Sequence, residues 1–270
     1  MSEELLFSKE EWDAAVPRVV AGMTDHLRPH RTAIYDLKED YGEGWGSGSY
    51  LRLGDRVFIL SNEHVARARE QGKPHSKILG HQFDGQEDIR AIVGNHSSYP
   101  LPLDLALLPV DMHAWAEPTN KSKAIEIGQI SMGHDPVEGE LLTFTGFAGE
   151  KVAFCFNTLF AEGTCYTARE IDLASDQRLS SRCHFGLDYR PEAASSVRGK
   201  SGLPLPPGLS GSTVWNTSFV AAKMQNIPWT PELARVTGVI WGWRSDHASL
   251  IATRAEFLRS FLLAVAEKVS

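Results

Sequence analysis

The feature that most constrains this 270-residue chain is the grouping of its apolar residues. They fall into short β-rich runs cut by Gly, Asp, Asn or Pro. The first set is "TAIYDL", "GSYLRL", "RVFILSN", "IRAIVG" and "LALLPV". A polar, Pro-containing stretch, "HAWAEPTNKSKAIE", links it to a second set: "IEIGQI", "ELLTFTGF", "VAFCFNTLFAE", "CYTAREIDL", "STVWN" and "RVTGVIWGW". Successive parallel strands need a helix-sized crossover between them, and these sets carry none. The pattern therefore predicts an all-β chain of two antiparallel barrels or sandwiches.

Helices are expected only at the ends. Ser8-Lys9-Glu10-Glu11 is a capping box, and Trp12, Ala15, Val16, Val19 and Val20 share one helical face, with Pro17 placed to kink or divide the helix. At the other end Phe257, Leu258, Phe261, Leu262 and Val265 recur at helical spacing. The expected organisation is a helical segment over 1–30, a first β-unit over 31–118, and a second β-unit with the C-terminal helix over 119–270.

Several function classes are disfavoured. The net charge is −7 and no basic run is present, so nucleic acid is not an expected partner. No stretch approaches the roughly 20 apolar residues of a membrane span. The acidic start lacks an apolar signal core, and Cys155, Cys165 and Cys183 lack metal-like spacing, so a reducing, cytoplasmic setting is expected. "YGEGWGSGS" runs into a strand and not a helix, which removes it as a phosphate loop. Gly199-Lys200-Ser201 has Ala194 where such a loop needs glycine. His26 and His30 are separated by Pro29, which breaks the helix that would align them. No metal and no cofactor is expected.

Three places carry chemistry. His64 in "SNEHVA" follows the run Val57-Phe58-Ile59-Leu60, a junction that can hold an imidazole rigidly yet open to a cleft. Asp104 in "LPLDLALLPV" is a lone carboxylate among leucines, suited to orienting a histidine if buried. Ser210 in "LPPGLSGSTVW" sits between glycines, where backbone amides can converge on an oxyanion. Singly, each has an ordinary reading: a core or rim histidine, an aspartate on a solvent face, a Gly/Ser/Pro turn. Together they occur in the order His, Asp, Ser, two in the first strand set and one in the second, one of the few orders known for a triad.

With these motifs the chain, from about Ala33 to Leu263, resembles the trypsin-like (chymotrypsin-fold) serine proteases, particularly their disulfide-free bacterial branch. "GWGSGSYLRL", "VFILSNEHV", "LDLALL", "GLSGSTVW", "VTGVIWGW" and "SLIATRAEFLRSFL" carry the resemblance. It implies two antiparallel six-stranded β-barrels with the site between them. His64 would be general base, Asp104 its orienter and Ser210 the nucleophile, with an oxyanion hole at the amides of Gly208 and Ser210. Pro204 would lie at the pocket floor and Trp241, Gly242 and Trp243 along the substrate, favouring a small or apolar side chain before the cut. The partner implied is a protein or peptide substrate.

Departures bear on how the site is ordered. Leu209 stands where many secreted members have an aspartate that pairs with a newly cut amino terminus, so that activation is not expected here. Ser212 replaces a common glycine, and Val65 a cysteine. Two alternatives stay open: a protease held inactive until a protein partner orders loops such as "RLSSRCHFGLDYRPEAASSVRGKSG", and a catalytically silent binding or scaffold module.

Overall fold

The computed structural model describes all residues except 1–5, 39–41, 70–75, 150–151, 156–157, 174–178, 195, 197–201 and 270. The first antiparallel sheet contains β1 (Arg31–Leu37), β2 (Gly42–Leu53), β3 (Arg56–Ser61), β4 (Ile78–Gln82), β5 (Ile89–Ala91), β6 (Ser97–Tyr99) and β7 (Leu105–Pro109), in the order β5-β4-β1-β2-β3-β7-β6. The second contains β8 (Leu142–Gly146), β11 (Thr164–Ala168), β12 (Glu170–Ile171), β13 (His184–Asp188), β14 (Thr213–Asn216), β15 (Arg235–Arg244) and β16 (Ser249–Arg254), in the order β11-β8-β14-β15-β16-β13-β12. β9 (Val152–Cys155) and β10 (Thr158–Ala161) form a separate hairpin. Each sheet forms a half-barrel of seven strands against the six expected, with segments as short as Glu170–Ile171 counted as strands.

Burial on both faces explains why strands read as continuous apolar runs. In β3, Val57 and Ile59 join the core of the first barrel, while Phe58 and Leu60 join a cluster shared by both halves. β7 divides the same way: Ala106 and Leu108 face one core, Leu105 and Leu107 the other. Side chains alternate across a strand, so burial of both faces leaves no polar position within Val57–Leu60 or Leu105–Leu108. The shared cluster also takes Val19, Met23 and Leu27 of α1 (Lys9–Leu27) and Leu258, Phe261, Leu262 and Val265 of the C-terminal helix (Ala255–Val269). The end helices thus brace the junction between the half-barrels.

The capping box at Ser8 and Glu11 is present. Pro17 does not divide α1, which is one helix; its packed face offsets the lost backbone bond. "IEIGQI" is not a strand. It forms a 3-10 turn at Ile127–Gln129 between single bridges to Leu51 and Val236, with Glu126 and Gln129 capping each other reciprocally. The linking stretch is pinned: Lys123 N donates to Pro29 O, Ile125 N to Tyr50 O, and Arg52 N to Ile125 O. Within the stretch expected to be a loop, residues 184–188 form β13; residues 178, 195 and 197–201, including Gly199-Lys200-Ser201, lie outside the described residues. Gly186 interrupts the apolar alternation there and hides the strand, although His184, Phe185 and Leu187 are buried.

Two buried histidines make the fold acid-sensitive. Desolvation lowers His30 to about 4, opposed by its bond with Lys123 O, and lowers His81 to about 3, with Arg90 adding to the effect. Below the unfolded value of 6.5 the unfolded chain therefore binds more protons than the folded one. Stability should be full above that value and fall as pH drops towards 4, by on the order of 3 kcal/mol for each histidine. Urea midpoints at a series of pH values test this; His81→Gln should flatten the profile, and an unchanged slope would refute it.

Candidate active site

The site begins where β3 ends. Asn62 leads into the short helix α2 (Glu63–Ala66), which carries His64. Asp104 stands just before β7 with φ of 49°, a left-handed backbone that is strained for a residue with a Cβ. That conformation is held by Asn62 Nδ2 donating to Asp104 O at 2.7 Å and by Asp104 N donating to Pro100 O at 3.1 Å. His64 and Asp104 meet twice. The imidazole Nδ1 lies 2.6 Å from Oδ2, and the His64 backbone N donates to Oδ1 at 3.0 Å. Asp104 is 2% exposed, whereas the His64 side chain is 40% exposed. A carboxylate accepting both bonds places the imidazole proton on Nδ1 and leaves the Nε2 lone pair free to take another.

Ser210 comes from the second half-barrel. Its turn requires positive φ at Gly208 (97°) and Gly211 (92°). A Cβ at Gly208 would lie 2.6 Å from Gly149 N and 2.7 Å from Phe147 O. Hydrogen bonds from both halves hold the turn. Gly149 N donates to Pro207 O, Leu209 N to Pro206 O, Gly211 N to Ile240 O, and Ser47 N of β2 to Ser210 O. The Ser47 hydroxyl donates to Gly208 O and accepts from Phe147 N, each at 2.8 Å, and Ser61 Oγ donates to Ser47 O at 2.8 Å. Ser49 and Thr213 add a hydroxyl contact at 2.9 Å. The amides of Gly208 and Ser210 make no hydrogen bond among the described residues.

Leu209 is buried with Phe144, Tyr189, Val214 and Ile240. This apolar anchor occupies the position where an ion pair would otherwise order the turn. Ser212 is fully buried and packs at Gly146.

Two cavities flank the site. One, of about 440 Å³, is lined by Glu63, His64, Arg67, Pro100, Leu101, Asp104 and Trp241. The other, of about 160 Å³, lies beside Ser210 against Pro206, Pro207, Ile240, Trp241, Gly242 and Trp243. Trp241 forms part of both walls. A Cβ added to Gly46 would lie 3.1 Å from Val65 Cγ1 and 3.5 Å from Ser210 O, so the residue after His64 and the serine turn flank one point. No hydrogen bond joins His64 to Ser210 among the described residues; such contacts are often loose without substrate. Pro204 is buried outside the small cavity's lining, its carbonyl accepting from Tyr189 Oη at 2.7 Å. Ser47 is not among the sequence candidates, because the partners of its hydroxyl, Gly208 O and Phe147 N, are backbone groups of the other half.

No family model matches the sequence, and no curated protein matches it. Similar solved structures exist. Rv3671c from M. tuberculosis H37Rv, in an inactive form, aligns at TM-score 0.51 and 15% identity over 93% of this chain and 94% of that one. The serine endoprotease from Yersinia pestis aligns at 0.51 and 15% over 91% of this chain and 66% of that one. A structure of GrC aligns at 0.50 and 13% over 90% and 96%. The likeness shows the fold: this chain has the chymotrypsin-like two-barrel architecture.

Proposed function

We propose that the chain is a serine endopeptidase working by acyl transfer. The observation that carries this reading is the double contact between His64 and Asp104, which leaves Nε2 able to accept a proton. In this mechanism Ser210 Oγ attacks the peptide carbonyl carbon while its proton passes to His64 Nε2. The oxyanion is held by the amides of Gly208 and Ser210. The carbon–nitrogen bond then breaks and His64 returns the proton to the leaving amine. Water, deprotonated by His64, attacks the ester, and the acid departs with Ser210 reprotonated. The apolar cavity beside Ser210 favours peptides with a small or apolar side chain before the cut. The many bonds on the turn and the buried Leu209 favour a hole that needs no proteolytic cut to form. Free thiols at Cys165 and Cys183 suit a reducing, cytoplasmic setting, and no helix among the described residues is long and apolar enough to cross a membrane.

A fluorophosphonate probe tests the proposal. The native chain should be labelled, and Ser210→Ala and His64→Ala should each abolish labelling. Each should also cost roughly 10⁶ in peptide hydrolysis, with the double variant no worse than either alone. Labelling only in cell extract would point to a gating partner. Silence in both settings, with a folded chain, would favour the binding module.

A further inference from the structure

Asp104 depends on the second half-barrel as well as the first. His184 of β13 and Thr253 of β16 are direct cross-strand partners, and both are fully buried. His184 Nε2 lies 2.7 Å from Pro102 O, and Thr253 Oγ1 donates to Leu103 O at 2.8 Å. These are consecutive carbonyls of the turn that ends in Asp104. The tautomer follows from the other ring nitrogen: Ser180 N donates to Nδ1 at 3.1 Å, so the proton sits on Nε2 and points to Pro102 O. Burial lowers the pKa of His184, consistent with a neutral ring. The same ring packs on Trp241, with centroids 5.2 Å apart. Leu103 N and Asp104 N both donate to Pro100 O, so the turn is tight and a pull on its carbonyls reaches Asp104 directly.

We infer that His184 and Thr253 form an inter-barrel clamp that positions Asp104 against His64, so the His–Asp pair is aligned only when the two halves are docked. This rests on the reading of Asp104 as the orienter of His64. Both are positioning residues, since neither is argued to touch the reacting atoms. The clamp also joins Ser180, Trp241 and Pro102, two residues before Asp104, through one ring.

The test uses the full-length chain and two readouts. The first is the far-downfield proton resonance of His64 Nδ1, which reports its short bond to Asp104 independently of turnover. The second is the rate of fluorophosphonate labelling. His184→Leu and Thr253→Val should each shift or broaden the resonance and slow labelling by about 10- to 100-fold. His184→Gln, which keeps a donor for Pro102 O and an acceptor for Ser180 N, should restore most of both; so should Thr253→Ser. An unchanged resonance and rate in folded His184→Leu would overturn the clamp. If His184→Leu does not fold, the Thr253→Val and Thr253→Ser pair decides, and identical spectra for the two would overturn it. Should the native chain resist the probe both alone and in cell extract while the resonance still responds to these variants, the protease reading fails and the clamp stands.

Discussion

Asp104→Asn is expected to lower peptide hydrolysis and Ser210 labelling by about four orders of magnitude while the chain stays folded. The reason lies in the two contacts that Asp104 makes. Oδ1 accepts the His64 backbone N–H, and Oδ2 faces Nδ1 at 2.6 Å. An asparagine has one acceptor oxygen and one NH₂. With the oxygen kept on the backbone amide, the NH₂ meets Nδ1, which must then accept. The imidazole proton moves to Nε2, the atom needed to take the proton of Ser210. The reverse orientation sets NH₂ against the backbone N–H, two donors face to face in a buried site. The loss should fall on kcat, with KM changing little, because Asp104 is 2% exposed and acts through His64. Steady-state kinetics and a thermal melt check this. A loss under tenfold in a folded variant would mean that Asp104 does not orient the base.

Gly211→Ala is expected to have the largest effect on the fold of the site, destabilising the chain by about 3 kcal/mol or more and abolishing labelling. Gly211 has φ of 92°, and a Cβ there would overlap the Ser47 carbonyl oxygen and Ser61 Oγ. One of these is backbone, and the other already donates to that same carbonyl. Relief requires moving β2 away from the serine turn. That movement would break Ser47 N to Ser210 O and Ser47 Oγ to Gly208 O, and with them the alignment of the Gly208 and Ser210 amides. Urea unfolding and probe labelling of one preparation test both halves of the prediction. A variant with native stability and labelling would show that the turn tolerates a different path.

Some of this was legible because it depends on local chemistry. The junction at His64 is visible as an apolar run ending in polar residues. Asp104 is visible as a carboxylate with no polar neighbours, and the serine turn as glycines that permit positive φ. The capping box at Ser8 and the apolar face of the C-terminal helix are visible because helix ends and helix periodicity are properties of neighbouring residues. The short strands β4 and β6 were not, since three to five residues carry little pattern. Nor was β13, where Gly186 breaks the alternation.

The clearest division is between residue type and partner. By itself the sequence determined that the chain forms two antiparallel strand sets closed by end helices, and which imidazole, carboxylate and hydroxyl are candidates for chemistry. It also showed that Leu209 cannot form an ion pair. Only the tertiary structure decided what replaces that pair: an apolar anchor, and a hydroxyl, Ser47, bonded to Gly208 161 residues away. It likewise decided that Pro206 and Pro207, and not Pro204, line the small cavity, and that His184 and Thr253 hold the turn of Asp104. The physical reason is that these contacts run to backbone carbonyls and amides. Every residue except proline carries both groups, so the choice among them is set by where the two half-barrels dock.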